Sequence, residues 1–183
     1  MGSETRPFWV NRWYLIYILI ALTILFMWTY ATFILHICVV SGQSMEPTFY
    51  ENDILQCRVD YSAEDIKRGD VVVIKNQKSK AAQILNLNLI VKRVIGLPGD
   101  ELCASNGQIY IQKGDKYELT GYEYEPMENA GILPEMGDTT LHLSEDEYFC
   151  VGDNRNNSVD SRKYGPFKYN QIERIVIGPI TLK

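Results

Sequence analysis

The chain has 183 residues, carries a net charge of −5, and is 46% hydrophobic, 22% charged and 11% aromatic. This ordinary globular composition excludes a wholly disordered, collagen-like or low-complexity chain. The acidic balance argues against a general nucleic-acid binder, which needs a basic surface. The mean hydropathy of −0.15 averages two unlike parts that divide near residue 40.

The first part of the chain is a long apolar run. No Asp, Glu, Lys or Arg occurs from Trp13 to Ser44. Within this run, Tyr14–Val40 exceeds the ~20 apolar residues that a helix needs to cross a bilayer. Aromatic residues typical of a membrane interface stand at its start: Trp9, Trp13, Tyr14 and Tyr17. We therefore predict a transmembrane helix with its membrane exit over residues 13–40.

Basic residues before the run predict its orientation. Arg6 and Arg12 lie in a short tail, residues 1–12, which the positive-inside rule places in the cytoplasm. The remainder then lies outside, in a single-pass protein of the cell membrane. A cleaved signal peptide is disfavoured, because its apolar region spans ~7–15 residues and ends in a small-residue cleavage site, which Phe33–Ile37 does not offer. A buried core helix is also disfavoured, because nothing at this end of the chain would surround it.

The remaining part reads as strands separated by turns. Short β-rich runs alternate with Gly, Pro, Asn and Asp, at Ile54–Val59, Val71–Ile74, Leu87–Ile95, Leu102–Ser105, Gln108–Gln112, Tyr148–Val151 and Ile172–Ile177. Asn106 and Gly107 separate two of these runs and indicate a two-residue hairpin. This spacing predicts a mostly β fold, an antiparallel barrel or sandwich-like domain over residues 41–183, preceded by one transmembrane helix.

A few stretches of this domain depart from the strand pattern. Sustained helical periodicity is absent, and only Ala63–Lys67 and Ser79–Leu85 are compatible with short helical turns. Residues 116–140 are rich in Tyr, Glu, Gly and Pro with weak patterning, and we interpret them as a long variable loop. After residue 45 the chain holds 22 acidic and 16 basic residues, so the domain itself is acidic.

The cysteines do not form a recognisable site. Cys38, Cys57, Cys103 and Cys150 lie far apart with no CxxC pair, so neither a metal cluster nor thioredoxin-type chemistry is indicated. We interpret Cys38, at the membrane exit, as a small apolar residue. On an extracytoplasmic face a disulfide among the other three is possible, and buried free thiols are the equally open alternative.

Three polar segments carry residue types that a hydrophobic core does not explain, and the first directly follows the apolar run. Residues 41–48 read SGQSMEPT, so Ser44 lies between a glycine and a proline on an expected tight turn. A serine held in this way is a candidate nucleophile. An ordinary membrane-exit linker is the alternative for this segment taken alone.

The second segment places two cations in a run otherwise suited to a buried strand. In Leu89–Asp100, Lys92 and Arg93 face opposite sides of an extended chain, and both sides are otherwise apolar. At least one cation is then partly desolvated, and burial lowers the pKa of a lysine from ~10.4. A neutral amine near pH ~8 is a competent general base. An edge strand with both head groups reaching water is the alternative.

The third segment, Gly152–Arg162, reads GDNRNNSVDSR. Such a loop can hold polar side chains in place, although a plain solvated loop is also possible. The two histidines then help by elimination, because His36 lies in the membrane run and His142 in a strand-like stretch away from every motif. A Ser-His-Asp triad is poorly supplied, so a lysine is the leading candidate for the base of a serine nucleophile.

Together these segments resemble the bacterial type I signal peptidases, membrane-bound Ser/Lys proteases that release exported proteins from their signal peptides. SGQSMEPT, continued by FYENDIL, is similar to the nucleophile box of that family, and RGDVVVIK (Arg68–Lys75) to the next strand box. VKRVIGLPGDEL is similar to the lysine box and GDNRNNSVDSR to the final box. Their order, spacing and single preceding anchor resemble monoderm-type members, over most of the chain outside residues 116–140.

The resemblance implies a role for each matching residue. Ser44 is expected to be the nucleophile, and Lys92 its general base in acylation and deacylation. Ser158 matches the serine that orients the lysine amine. The other matching side chains are expected to support the structure of the site, with Asp160 paired to a nearby arginine: Arg93, Asp160 and Arg162.

One position departs from part of the family. Some members carry a serine two residues before the nucleophile, whose hydroxyl is the second oxyanion donor, and here that position is Gly42. The backbone N–H of Ser44 is the expected first donor. A backbone amide or the Ser41 hydroxyl is left as the second. The lysine box also separates this chain from the endoplasmic-reticulum type, which uses histidine.

The resemblance implies a serine endopeptidase that cleaves signal peptides from exported preproteins after small residues, at the outer membrane surface. Its expected partners are exported preproteins and the lipid bilayer, with the secretion translocon left open; no nucleic acid, metal or cofactor is expected. The alternative is a non-catalytic relative that acts as an assembly or chaperone factor for surface pili. A self-cleaving regulator of the Ser/Lys repressor type would need a DNA-binding module, which twelve residues before the anchor cannot form.

Overall fold

The computed structural model describes residues 9–76, 89–122, 124–137 and 139–180. The chain divides into two compact units, residues 1–37 and 38–183. The first unit holds helix α1, Trp9–Leu35, which is 27 residues long. Within α1, Trp13–Thr32 has a mean hydropathy of 2.0 and is long and apolar enough to cross a membrane.

The threonines of helix α1 form hydrogen bonds within the helix. The hydroxyls of Thr23, Thr29 and Thr32 donate to backbone carbonyls one turn earlier. These three hydroxyls therefore need no water, which suits a helix in lipid.

The rest of the chain is built mainly from short strands. They are β1 (Ile37–Val39), β2 (Ile54–Arg58), β3 (Val71–Lys75), β4 (Leu89–Gly96), β5 (Glu101–Ser105), β6 (Gln108–Lys113), β7 (Lys116–Leu119), β8 (Leu141–His142), β9 (Glu147–Val151), β10 (Phe167–Lys168) and β11 (Ile172–Pro179). A one-turn helix, α2, covers Ser161–Tyr164, and 3₁₀ turns cover Ala63–Asp65 and Tyr169–Gln171.

The strands form two sheets. Over the described ranges, seven strands lie in the order β1-β2-β11-β3-β4-β9-β10, and four in the order β7-β6-β5-β8. Strand β4 pairs antiparallel with β3 and with β9, with Val72 opposite Lys92 and Val151 opposite Arg93. Both cations therefore lie inside the larger sheet, and both are buried.

The described residues of the second unit form three apolar clusters. One joins the two sheets: Ile95, Leu102, Ala104, Ile109, Ile111, Met127, Leu133, Leu143, Phe149 and Val151. A second packs around Val72, Val94 and Phe167. The third buries Met45 and Phe49 against Leu55 and Val73. This last cluster fixes the chain that follows β1, because Met45 is adjacent to Ser44 and is almost completely buried.

The mostly β, antiparallel prediction is confirmed by these strands, with one N-terminal apolar helix. Each of the seven predicted strands occurs within two residues of its expected ends, apart from residues 87 and 88, which lie outside the described part of the chain. At the predicted hairpin turn, Asn106 and Gly107 have φ of 49° and 73°, the left-handed pair that a type I′ turn requires.

Other local predictions need correction. The interpretation of residues 116–140 as a loop misses β7, whose four residues are all exposed and carry no buried pattern. It also understates how firmly that stretch is held, because Met127 and Leu133 are buried in the cluster between the sheets. The expected turn at Ala63–Lys67 is a 3₁₀ turn over Ala63–Asp65, and Ser79–Leu85 lies outside the described residues. Of the two alternatives left open for Cys57, Cys103 and Cys150, the structure has buried free thiols, and Cys38 is also free.

Candidate active site

Ser44 lies in a tight turn between β1 and β2. The turn is closed by backbone N–H groups of Thr48 and Phe49, which both donate to the Met45 carbonyl at 2.8 and 3.0 Å. Gly42 has a φ of +89° and nothing within 4 Å of the position that a Cβ would take. Backbone geometry therefore requires glycine here, since L-residues rarely adopt this φ.

The Lys92 amine reaches this turn from the middle of β4. Lys92 Nζ donates to Ser44 Oγ at 2.6 Å and to the carbonyl of Val91 at 2.9 Å. A nucleophile and a base within hydrogen-bond reach are the arrangement that proton transfer between them requires. When the amine is neutral, the same distance lets its lone pair accept the Ser44 proton.

The surroundings of Lys92 raise the fraction of its amine that is neutral. Burial lowers the pKa of Lys92 to about 8, against the opposing charges of Asp160 and Asp153, while Arg162 lowers it further. At a pKa of about 8 roughly one amine in ten is neutral at pH 7, and half are neutral at pH 8. The alternative of a lysine reaching water is wrong, because only 3% of its surface is exposed.

A buried ion pair lies beside the lysine. Asp160 Oδ1 accepts from Arg162 Nε at 2.9 Å and Oδ2 from its Nη2 at 2.8 Å. The Gly152 N–H also donates to Oδ2 at 3.0 Å. Burial by itself raises the pKa of Asp160, but hydrogen bonding from Arg162 and its charge hold that pKa below the ordinary value. Asp160 also caps α2 through the Arg162 N–H.

Ser158 packs against the backbone where Gly152 and Ser44 meet. A Cβ on Gly152 would lie 2.2 Å from Ser158 Oγ and 2.4 Å from the Ser44 carbonyl oxygen, so the three residues touch. In the described part of the chain the buried Ser158 hydroxyl makes no hydrogen bond of ordinary geometry, but it acts on the Asp160 carboxylate and helps to lower the Asp160 pKa. Its expected role in orienting the lysine amine stays a prediction, because Lys92 donates to other groups.

Arg93, on the opposite face of β4 from Lys92, joins a second buried pair. Its Nε and Nη2 donate to the two carboxylate oxygens of Asp153 at 2.8 and 2.6 Å. Thr48 Oγ1 donates to the same carboxylate at 2.6 Å. Asp153 therefore ties β4 to the turn that carries Ser44. Sequence reasoning missed this carboxylate, although it is the second residue of the GDNRNNSVDSR segment.

The described residues contain no cluster of three or more His, Cys, Asp or Glu side chains that would hold a metal ion. The polar side chains described above at the site are three hydroxyls, an amine, two carboxylates and two guanidinium groups. This set suits proton transfer to and from a nucleophilic oxygen.

The family model described as "Signal peptidase, peptidase S26" matches residues 10–180. The chain belongs to the signal peptidase family. The resemblance seen in the four sequence segments is thereby confirmed. The match also includes β7 and the residues that follow it. These residues lie outside the four sequence segments.

Individual relatives agree. The chain is 34% identical over 170 residues to signal peptidase I P of Bacillus subtilis subsp. natto, covering 89% of this chain and 86% of that protein. It is 33% identical over 140 residues to the probable signal peptidase I-2 of Synechocystis sp., covering 73% of this chain. The match spans only 57% of that cyanobacterial protein.

A solved structure is also similar. The crystal structure of a signal peptidase I from Enterococcus faecalis V583 is 25% identical in sequence, with a TM-score of 0.42, and covers 66% of this chain and all of that chain.

Proposed function

We propose that the protein is a membrane-anchored serine endopeptidase that cleaves N-terminal signal peptides from exported preproteins, with Ser44 as nucleophile and Lys92 as general base. The observation that carries this proposal is the 2.6 Å contact between Lys92 Nζ and Ser44 Oγ. Burial of Lys92 strengthens the proposal. Burial raises the fraction of neutral amine, and only the neutral amine can accept a proton.

In the acylation step, Ser44 Oγ attacks the carbonyl carbon of the peptide bond while its proton moves to Lys92 Nζ. The resulting lysine ammonium then gives that proton to the leaving amine, the new N-terminus of the mature protein. The signal peptide remains as an ester on Ser44. Water then attacks the ester carbon while Lys92 Nζ takes one of its protons. The bond between that carbon and Ser44 Oγ breaks, and the lysine ammonium returns the proton to Oγ, which restores Ser44 and releases the signal peptide with a free carboxyl group.

The negative oxygen formed in each step needs hydrogen-bond donors. The Ser44 N–H is suitable, because it donates to no group in the described part of the chain. Removal of one such donor costs about 3–4 kcal/mol in other serine proteases. Gly42 has no side chain to supply a second donor, so a backbone amide or the hydroxyl of Ser41 takes that part.

The supporting residues keep the acid-base pair in place. Ser158 lies against the Ser44 backbone and orients the lysine amine. Asp160, held by Arg162, sets the charge next to Lys92, and Arg93 anchors the sheet to the nucleophile turn through Asp153. A displacement of the reacting atoms by 1 Å costs about 100-fold in rate, which explains the need for several buried pairs.

The membrane anchor brings the enzyme to its substrate. Residues 13–40 form the anchor and membrane exit, residues 1–12 the cytoplasmic tail, and residues 41–183 the extracytoplasmic catalytic domain. The apolar span in α1 and the two arginines before it support this arrangement. Because preprotein and peptidase are held in one membrane, their effective concentration is raised. As in the family it resembles, the preferred residues at the first and third positions before the cleaved bond are small.

The test is cleavage of a panel of exported precursors by the full-length protein in detergent, with mass spectrometry of the new N-termini. Ser44→Ala and Lys92→Met are expected to abolish cleavage while folding normally. Ser144→Ala and Lys113→Met are matched controls on the exposed surface and are expected to cleave like the wild type. Full cleavage by either site variant would overturn the assignment of the pair.

A further inference from the structure

Two tyrosines in the chain after β7 contact residues that support the candidate site. The guanidinium carbon of Arg93 lies 5.4 Å from the ring centre of Tyr122 and 5.9 Å from that of Tyr124. Both distances are within the range of an attractive cation–π contact. Arg93 is thus held by two aromatic rings as well as by the Asp153 carboxylate.

Tyr124 also contacts the nucleophile turn. Its hydroxyl lies 3.1 Å from Thr48 Oγ1. The single Thr48 proton is directed to Asp153 at 2.6 Å, so the Tyr124 hydroxyl is the donor to Thr48. Arg93 Nη2 donates to the same threonine oxygen at 3.3 Å. Tyr124 therefore belongs to a network of four side chains, with Thr48, Asp153 and Arg93. The network reaches the nucleophile turn at Thr48, four residues after Ser44.

Tyr122 is fixed from two sides. Its hydroxyl donates to the Arg68 carbonyl at 3.3 Å, and its own carbonyl accepts from the guanidinium of Arg155. A Cβ on Gly69 would lie 1.9 Å from the Tyr122 hydroxyl, so the ring fills a space left by that glycine. Arg155 lies 5.5 Å from the Tyr124 ring centre, which joins the GDNRNNSVDSR segment to the same two tyrosines.

These contacts lead back to the base. The groups whose charges act on Lys92 are Asp160, Asp153, Arg162 and Cys150, and Asp153 raises the lysine pKa. Arg93 neutralises Asp153 only while it stays in place. Loss of the aromatic rings removes two of the contacts that hold Arg93, which also donates to the Gly69 carbonyl at 2.7 Å. Any displacement of Arg93 from Asp153 leaves more of the Asp153 charge acting on the lysine.

We propose that Tyr122 and Tyr124 are positioning residues of the peptidase site, which hold Arg93 on Asp153 and hold Thr48 in the nucleophile turn. The stretch following β7 thus becomes part of the catalytic support and not a surface excursion. The inference rests on the proposed function, because positioning has meaning only if Ser44 and Lys92 react.

The test compares substitutions that remove the ring with substitutions that keep it. Tyr122→Leu and Tyr124→Leu are expected to lower kcat/KM about 10- to 100-fold, mainly through kcat. They are also expected to move the acid limb of the pH profile to higher pH. Tyr124→Phe keeps the ring and loses the bond to Thr48, so kcat falls while the acid limb stays. Tyr117→Leu on exposed β7 is the matched control and is expected to behave like the wild type.

A direct measurement of the lysine separates this inference from the proposed function. The Lys92 pKa is read from the ¹³Cε shift of labelled protein in detergent, which requires no substrate. An increase in both leucine variants, with none in Tyr122→Phe, Tyr124→Phe or Tyr117→Leu, supports the proposal. An unchanged Lys92 pKa and pH profile in the leucine variants overturns it, even where stability falls. If the wild type cleaves no precursor, the proposed function fails. The ¹³C titration still shows whether the Tyr122 and Tyr124 rings influence the Lys92 pKa, because it requires no cleavage.

Discussion

The replacement of Gly152 by alanine is the sharpest perturbation that the site offers. The added Cβ would lie 2.2 Å from Ser158 Oγ and 2.4 Å from the Ser44 carbonyl oxygen. Carbon contacts of ordinary length are about 3.5–4.0 Å, so the nucleophile turn or the Gly152 backbone must move by about 1 Å. One of these two neighbours is backbone and cannot rotate away as a flexible side chain would.

The expected loss is larger in rate than in stability. A displacement of about 1 Å at the reacting atoms lowers the rate about 100-fold. Crowding in a packed interior costs about 1–3 kcal/mol, and each kcal/mol lowers Tm by about 2–4 °C in a chain of this size. The variant is therefore expected to remain folded and to cleave poorly.

The assay is kcat/KM for cleavage of a precursor, measured together with thermal unfolding. Gly178→Ala is the matched control, because a Cβ at Gly178 meets nothing within 4 Å. That control is expected to keep wild-type cleavage and Tm. Wild-type kcat/KM in Gly152→Ala would refute the claim that residue 152 must lack a side chain for its backbone to lie against that of Ser44.

Two further predictions concern the buried ion pairs. Asp153→Asn leaves the buried guanidinium of Arg93 without a carboxylate and is expected to cost about 3 kcal/mol of unfolding free energy, measured by chemical denaturation. Glu118→Gln changes an exposed ion pair and is the control, with an unchanged Tm expected. Equal losses of stability in the two variants would contradict this prediction. Asp160→Asn removes the charge that most raises the Lys92 pKa, so the acid limb of the kcat/KM profile is expected to move to lower pH. A shift to higher pH would count against this.

Local sequence signals predicted the parts of the fold that local chemistry decides. The Asn106-Gly107 turn was predictable because two adjacent left-handed residues favour these two amino acids. Helix α2 was not predicted, because four residues show no period and the helix depends on its cap by Asp160. Strands β8 and β10, with two residues each, exist only because neighbouring strands offer unpaired backbone groups.

The candidate site divides in the same way. Ser44 and Lys92 stood out as unusual residues in their segments, although they are 48 positions apart. Their partners did not stand out, because the Arg93–Asp153 bond spans 60 positions and no short motif records it. Tyr122 and Tyr124 lie in a weakly patterned stretch, and their role depends on Arg93 in β4 and on Arg155 in the segment after β9.

The pH dependence of Ser44 acylation shows whether Lys92 acts as the base of Ser44. The full-length protein is treated with a serine-reactive lactam or boronate across a pH range, and the adduct is located by mass spectrometry. We predict a Ser44 adduct whose rate of formation rises about tenfold per pH unit below about 8 and then levels off, with no adduct in Lys92→Met. A rate independent of pH, or an equal rate in Lys92→Met, would contradict this assignment of the base.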